Sequence, residues 1–154
     1  MIQTENTTSQ ADAIVKRYMV GSVLVGLVPV PWVDLVALMG IQLKMLAKIS
    51  KCYSIEFSHN QGKSLLAALI GGGVPWSFSR NFVRLTKSVP VYGRITGMVS
   101  MSIFGSASTY AVGKVFIQHF ESGGTFLTFD PNKAAADYAK YFRKVEEDSV
   151  GIKP

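Results

Sequence analysis

The feature that most constrains this chain is an apolar run from Tyr18 to Tyr53, broken near its middle by Pro29-Val30-Pro31. Proline suits the first turn of a helix and breaks its interior, so one helix ends before Pro29 and another starts at Pro31. Asp34 then falls in the first turn of the second helix, where a carboxylate complements the positive end of the helix dipole. Along that second helix Leu35, Leu38, Gln42, Met45, Ile49 and Cys52 or Tyr53 recur at three- and four-residue steps and define one packing face. Lys44, Lys48 and Lys51 form a second stripe at the same spacing, confined to the last half. Such a stripe is either a solvated face or the basic end of a helix that leaves an apolar environment at a phosphate-rich surface.

A second charge-free section runs from Ile95 to Gly113, between Arg94 and Lys114. Its length is about that needed to cross a bilayer core as a helix, roughly 20 residues. Gly93, Gly97, Gly105, Thr109 and Gly113 follow a four-residue rhythm interrupted by Met101, a spacing that opens a groove for close helix contact. Glycine costs about 1 kcal/mol against alanine in an exposed helix, so this density requires a packing reason. The section is therefore either embedded in lipid or the buried central helix of a bundle. In the first run, Ser22 and Gly26 repeat the small-xxx-small spacing.

The remaining segments are also helical in pattern. Met1 to Thr8 reads as a disordered polar lead, and a helix is expected from Ser9, with Asp12 in its first turn. Ser58 opens a third helix with Gln61 placed for a capping box, and Gly71-Gly72-Gly73 is expected to stop it. Val74 to Ser88 forms another, carrying Arg80, Arg84 and Lys87 among aromatic residues. Thr125 to Phe129 reads as a short extended connector. Asp130-Pro131 caps and starts a last helix, to about Asp148, that packs through Ala135, Tyr138, Ala139 and Phe142. The tail from Gly151 reads as loose. The expected fold is thus an all-α single domain over 9–149, a bundle of about six helices around a glycine-rich one.

Charge and composition narrow the partners. Charged residues make up 17% of the 154, hydrophobic residues 48%, and the net charge is +6. So few charges imply that much of the surface is covered by lipid, a second copy or a partner, and the positive balance favours anionic surfaces. The stripes at Lys44, Lys48, Lys51 and at Arg80, Arg84, Lys87 are the candidates to meet them. No nucleic-acid module accompanies these basic residues, so nucleic acid is not the expected partner. Cys52 is the only cysteine, which excludes an internal disulfide and a thiolate metal cluster. The N-terminal residues lack the pattern of a cleavable signal peptide.

Catalytic chemistry finds little footing. Gly62-Lys63-Ser64 suggests a phosphate-binding loop, but that loop needs a glycine where this chain has Phe57, and no strand pattern precedes it. His59 and His119 read as surface residues near helix ends. Asp34 has no second titratable group at useful local spacing and reads as a structural cap or hydrogen-bonding group, with Gln42 or an arginine as partner. Cys52 reads as a packed thiol. No catalytic, cofactor or metal site is expected.

The segment PVPWVDLVALMGIQLKMLAKISKCY resembles the Pro-x-Pro-x-x-Asp…Gln-x-x-Met-Leu signature of the domain of unknown function 697. STYAVGKVFIQHFESGGT resembles that family's later Thr-Tyr-Ala-hydrophobic-Gly-x-x-x-x-x-x-Phe pattern, and the likeness covers about residues 14–126. The resemblance marks Pro29, Pro31, Asp34, Gln42 and Met45 in the first half and Thr109, Tyr110 and Gly113 in the second, none with a catalytic role. It implies a helical, membrane-associated module linked to GTPases. This sequence carries no GTPase domain, so such a partner is expected in trans. Together these readings predict a non-enzymatic module, membrane-associated and facing the cytoplasm, that self-associates or docks a partner. The alternative is a soluble helical adaptor whose apolar surface is buried in an oligomer or GTPase complex. In either case Pro29-Val30-Pro31 is a hairpin apex with Asp34 as its pin, set against a glycine-rich third helix.

Overall fold

A computed structural model describes residues 2–25, 31–75 and 93–150, and among them the chain is all-α. Five helices and no strand are found there: α1 (Ile2–Val25), α2 (Pro31–Cys52), α3 (His59–Gly73), α4 (Gly93–Glu121) and α5 (Pro131–Val150). The helix expected over 74–88 falls almost wholly outside the described residues, as does the Pro29-Val30 half of the proline corner. Pro31 begins α2, as its fixed φ favours.

The bundle is built around α4. It lies antiparallel to α1, with Lys114 beside Asp12 at one level and Ser102 beside Val23 at another. It also runs antiparallel to α5, with Ser108 beside Tyr138 and Phe104 beside Phe142. α2 packs against α1 and α4, and α3 against α5 and α2. From Ser102 to Ile117 nearly every α4 residue is buried or half-buried, so α4 is the buried central helix. Among the described residues no helix is long and apolar enough to cross a membrane. In α4 the serines, threonines and glycines that let other helices approach closely also keep its hydropathy down.

Glycine makes those approaches possible at two levels. A Cβ on Gly105 would stand 3.1 Å from the carbonyl oxygen of Ser22, and one on Gly113 would overlap the methyl groups of Val15. Both contacts are with α1, so the rhythm read in the sequence marks the α1 groove for these two residues. The surroundings of Gly93 and Gly97 lie outside the described residues. At the far end of the α1–α4 pair, Phe57, Phe116, Phe120, Phe126 and Phe129 form an aromatic cluster, with Phe116 stacked on Phe129 at 4.2 Å.

Several local expectations are corrected. α1 begins at Ile2 rather than Ser9: Thr7 and Thr8 return their hydroxyls to the carbonyls of Gln3 and Thr4, and Thr8 also bonds Glu121 of α4, which gives the polar lead a partner. Ser58 occupies the N-cap of α3 with extended backbone, but its side chain makes no capping bond. The three glycines do not stop α3. The helix runs on through all three to Gly73, and Val74 is its C-cap, whose extended conformation is what a following Pro75 demands. The 125–129 connector is a turn, with Thr128 bonded back to Thr125. Asp130 does cap α5, accepting from the backbone N–H groups of Asn132 and Lys133 at 3.0 and 3.4 Å.

Glycines of opposite setting provide a test of this packing. Gly40 is exposed on α2 with nothing within 4 Å of a Cβ, so Gly40→Ala gains about 0.5–1 kcal/mol in helix propensity. Gly113→Ala drives a methyl into the stiff, β-branched Val15 and loses about 1–3 kcal/mol despite the same propensity gain. Urea denaturation of both variants measures the contrast; equal effects would mean that Gly113 does not set the α1–α4 distance.

Candidate functional site: a buried polar junction

Hydroxyl and amide side chains are uncommon in a helical core unless paired, because an unpaired buried polar group costs about 1–3 kcal/mol. Here they gather at one level of the bundle, contributed by α1, α2, α4 and α5. Gln42 of α2, fully buried, donates through its amide nitrogen to Ser108 Oγ at 3.0 Å and to Thr109 Oγ1 at 3.4 Å on α4. Tyr138 of α5 donates its hydroxyl to Ser108 Oγ at 2.9 Å. Thr109 and Ser22 of α1 lie 2.8 Å apart. Ser22 gives its own proton to the Tyr18 carbonyl at 2.9 Å, so at the Thr109 contact it is the acceptor. The chain therefore runs in one direction, from the Gln42 amide through Thr109 and Ser22 to the α1 backbone. α3 supplies Gly73, where a Cβ would stand 2.5 Å from Tyr138 Cδ1; the bare backbone is the seat of the tyrosine ring.

One atom in this junction is unpaired. Gln42 Oε1 is buried and meets no hydrogen-bond donor. Turning the amide over would replace an unpaired acceptor with an unpaired donor, so the geometry satisfies only half of the group. Burial, partly offset by the Ser108 contact, pushes the Tyr138 hydroxyl far above its ordinary range. Nearby, Lys114 of α4 pairs with Asp12 of α1 at 2.8 Å. Burial pulls the Lys114 ammonium down, but the hydrogen bond and charge of Asp12 outweigh it and the pKa ends above ordinary.

The residues marked by the family resemblance fall into distinct places. Gln42 and Thr109 are members of the junction, and Met45 is fully buried one turn further along α2. Gly113 receives Val15, and Tyr110 meets the edge of Tyr141 at 6.1 Å. Asp34 lies in the first turn of α2, but its side chain is outside the described residues, as is Pro29. Gln42, expected as a partner for Asp34, spends its amide N–H groups on α4 instead. Lys44, Lys48 and Lys51 are all exposed, with Lys48 Nζ 5.3 Å above the Tyr18 ring. Arg80, Arg84 and Lys87 lie outside the described residues. In the sequence Ser22 and Tyr138 mark packing positions, by small-residue spacing and helical period, but not hydrogen-bonding partners, and Ser108 carries no signal of its own. Their common property is position on the inward stripe of three separate helices, which only the packing aligns.

His119 is half-buried rather than a plain surface residue. Its Nε2 lies 2.9 Å from the Thr125 carbonyl and 3.2 Å from Thr128 Oγ1, and its ring stands edge-on to Phe129 at 5.1 Å, so it stitches the α4–α5 turn. The cleft of about 340 Å³ beside it also includes Asp130 and Lys133, but Asp130 is engaged in capping α5. His59 is exposed at the start of α3 and Cys52 is a half-buried free thiol. Among the described residues no group of three or more His, Cys, Asp or Glu side chains is placed to hold a metal ion.

Among the described residues these features define an all-α bundle in which Gln42 and Met45 face the interior and Thr109 and Gly113 lie on the buried central helix. The model of the family described as Domain of unknown function (DUF697) matches residues 2–145, and the chain belongs to that family. It is 37% identical over 144 residues to magnetosome membrane protein 22 of Magnetospirillum gryphiswaldense, covering 93% of this chain and 74% of that one. No solved structure matches.

Two measurements test the junction. Gln42→Ala leaves a cavity and strips two hydroxyls of a donor, for a loss of about 2–4 kcal/mol in denaturant unfolding. Gln42→Met keeps the volume and removes the unpaired oxygen as well, so it costs less than half as much; equal losses would contradict the half-satisfied amide. A pH series gives the second. Tyrosine ionises near pH 10 in the unfolded chain. Burial, with the nearby Glu121 charge adding to it, pushes Tyr53 up to about 12, and Tyr138 is raised further. A hydroxyl held neutral only in the folded state withdraws stability as pH climbs past 10. The raised Lys114 acts in the same direction, since its contribution is complete below the unfolded lysine pKa and is lost as pH passes the folded value. Stability is therefore flat near neutrality and falls from pH 10 to 12, with a shallower fall in Tyr138→Phe.

Proposed function

We propose that this chain is a non-enzymatic, membrane-associated helical module that works by self-association or by docking a partner, a GTPase supplied in trans being the partner class its family resemblance implies. The observation that carries the reading is the likeness, over 93% of the chain, to a relative whose name places it in a membrane. The core geometry supports it: Gln42, Thr109, Met45 and Gly113 are consumed in holding helices together, which leaves the outer face of the bundle as the working surface. The exposed lysines of α2 suit an anionic, cytoplasm-facing lipid surface.

Fractionation of cells making the full chain tests the reading. The chain sediments with membranes, and detergent brings it into solution as a defined particle. Recovery entirely in the aqueous fraction, as a monodisperse particle without detergent, would overturn membrane association and leave the soluble adaptor. For the partner, the chain retains a Ras-like or dynamin-like GTPase co-expressed with it from the same organism; retention with bound nucleotide and loss in the nucleotide-free form identifies docking to the switch state, and no retention in either form would overturn a GTPase partner.

A further inference from the structure

Helices α1 and α2 each carry an exposed stripe, and the two stripes have the same polarity. On α1 the exposed positions pass from Lys16 and Arg17 to Val20, Val23 and Leu24, with Val20 and Leu24 each 65% exposed. On α2 they pass in the opposite chain direction from Lys44, Lys48 and Lys51 back through Gly40 to Val36 and Leu35, which are 76% and 47% exposed. The helices are neighbours, with Lys48 resting over Tyr18. Both stripes are therefore apolar toward the end where α1 finishes and α2 begins, and basic away from it. Five exposed aliphatic side chains thus fall at one end of the α1–α2 pair, and soluble chains rarely expose large apolar patches that serve no interaction.

We infer that this face is a wedge for one leaflet of an anionic phospholipid membrane, a reading that rests on the membrane association proposed above and adds its surface, depth and lipid class. The spacing favours lipid over a protein. At 1.5 Å per residue, Val36 lies about 12 Å along α2 from Lys44, and Leu24 about 10 Å along α1 from Arg17. Half of a bilayer's hydrocarbon core is about 15 Å. Acyl chains followed by phosphates meet both stripes in the required order and at the required depth, on two helices at once. The backbone is prepared for a dry setting as well: the Val23 carbonyl, in the last turn of α1, accepts from Ser102 Oγ of α4 at 3.1 Å. From Tyr18 to Leu43 the sequence has one acid, Asp34. The carboxylates of Glu146, Glu147 and Asp148 are on α5, which packs on a different side of α4.

Vesicle flotation with the full chain tests the wedge. Wild type floats with phosphatidylglycerol-containing vesicles and at least tenfold less with phosphatidylcholine alone. Leu24→Asp combined with Val36→Asp lowers flotation at least tenfold while its circular dichroism and melting profile match wild type, because both side chains are already in water. Leu127→Asp, at an equally exposed leucine in the α4–α5 turn (81%), floats as wild type. Lys44→Glu with Lys51→Glu tests the headgroup half separately and falls to the phosphatidylcholine level. A double-aspartate variant that floats like wild type overturns the wedge and leaves membrane association standing; a wild type that floats with neither vesicle overturns both. Conversion from oligomer to monomer by the double-aspartate change, with flotation unaltered, would assign the face to a second copy and also overturn the wedge.

Discussion

The position of one amide governs this bundle. Gln42 sits where α2 meets α4, and its two N–H donors meet hydroxyls on consecutive residues, Ser108 and Thr109. Consecutive positions on a helix point about 100° apart, so one hydroxyl turns toward α5 and the other toward α1. Tyr138 closes the first arm and Ser22 the second. Sliding any of these helices by one turn would leave hydroxyls in the dry interior with no partner, at a cost that apolar packing alone would not impose. The junction thereby fixes register in a core where the aliphatic contacts, being non-directional, tolerate several alignments.

Size complementarity then brings the helices near enough for those bonds to form. Gly105 lets the α1 backbone reach α4, Gly113 accepts Val15, and Gly73 gives the Tyr138 ring its place. Below the junction the Asp12–Lys114 pair ties α1 to α4 at a second level, and the phenylalanine cluster packs the α4–α5 turn onto the end of α4. Two levels of attachment on α1, the Ser22 hydroxyl at the junction and the Asp12 carboxylate beyond it, resist rotation of α1 about its axis in a way that neither does alone.

Much of this was legible in the sequence where the governing forces are local. The start of α2 at Pro31, the Asp130 cap, the inward face through Leu38, Gln42, Met45 and Ile49, and the groove at Gly105 and Gly113 all follow from backbone sterics or helical period, whereas Leu35, expected on that same face, is 47% exposed because the described bundle does not cover that end of α2. The errors have a common cause. Whether the threonines near the N-terminus fray or extend a helix depends on Glu121, far away in the chain, and whether Gly71-Gly72-Gly73 breaks α3 depends on Tyr138 packing on the last of them. The α4 section satisfied the length of a membrane span, but Ser102, Ser106, Ser108 and Thr109 find partners inside the protein, a fact that hydropathy and spacing do not encode. Ser22, Ser108 and Tyr138 belong to the junction through tertiary alignment alone.

The Val15–Gly113 contact has a consequence for how this sequence can diverge. The two residues share one small volume, so they are not free to vary separately: a methyl gained at 113 must be given back at 15, by alanine or glycine in place of valine. The order of the changes also matters, because shrinking 15 first leaves a small void whereas enlarging 113 first creates a collision. Drift along this helix pair is therefore directional, running through the loosened intermediate and away from the crowded one.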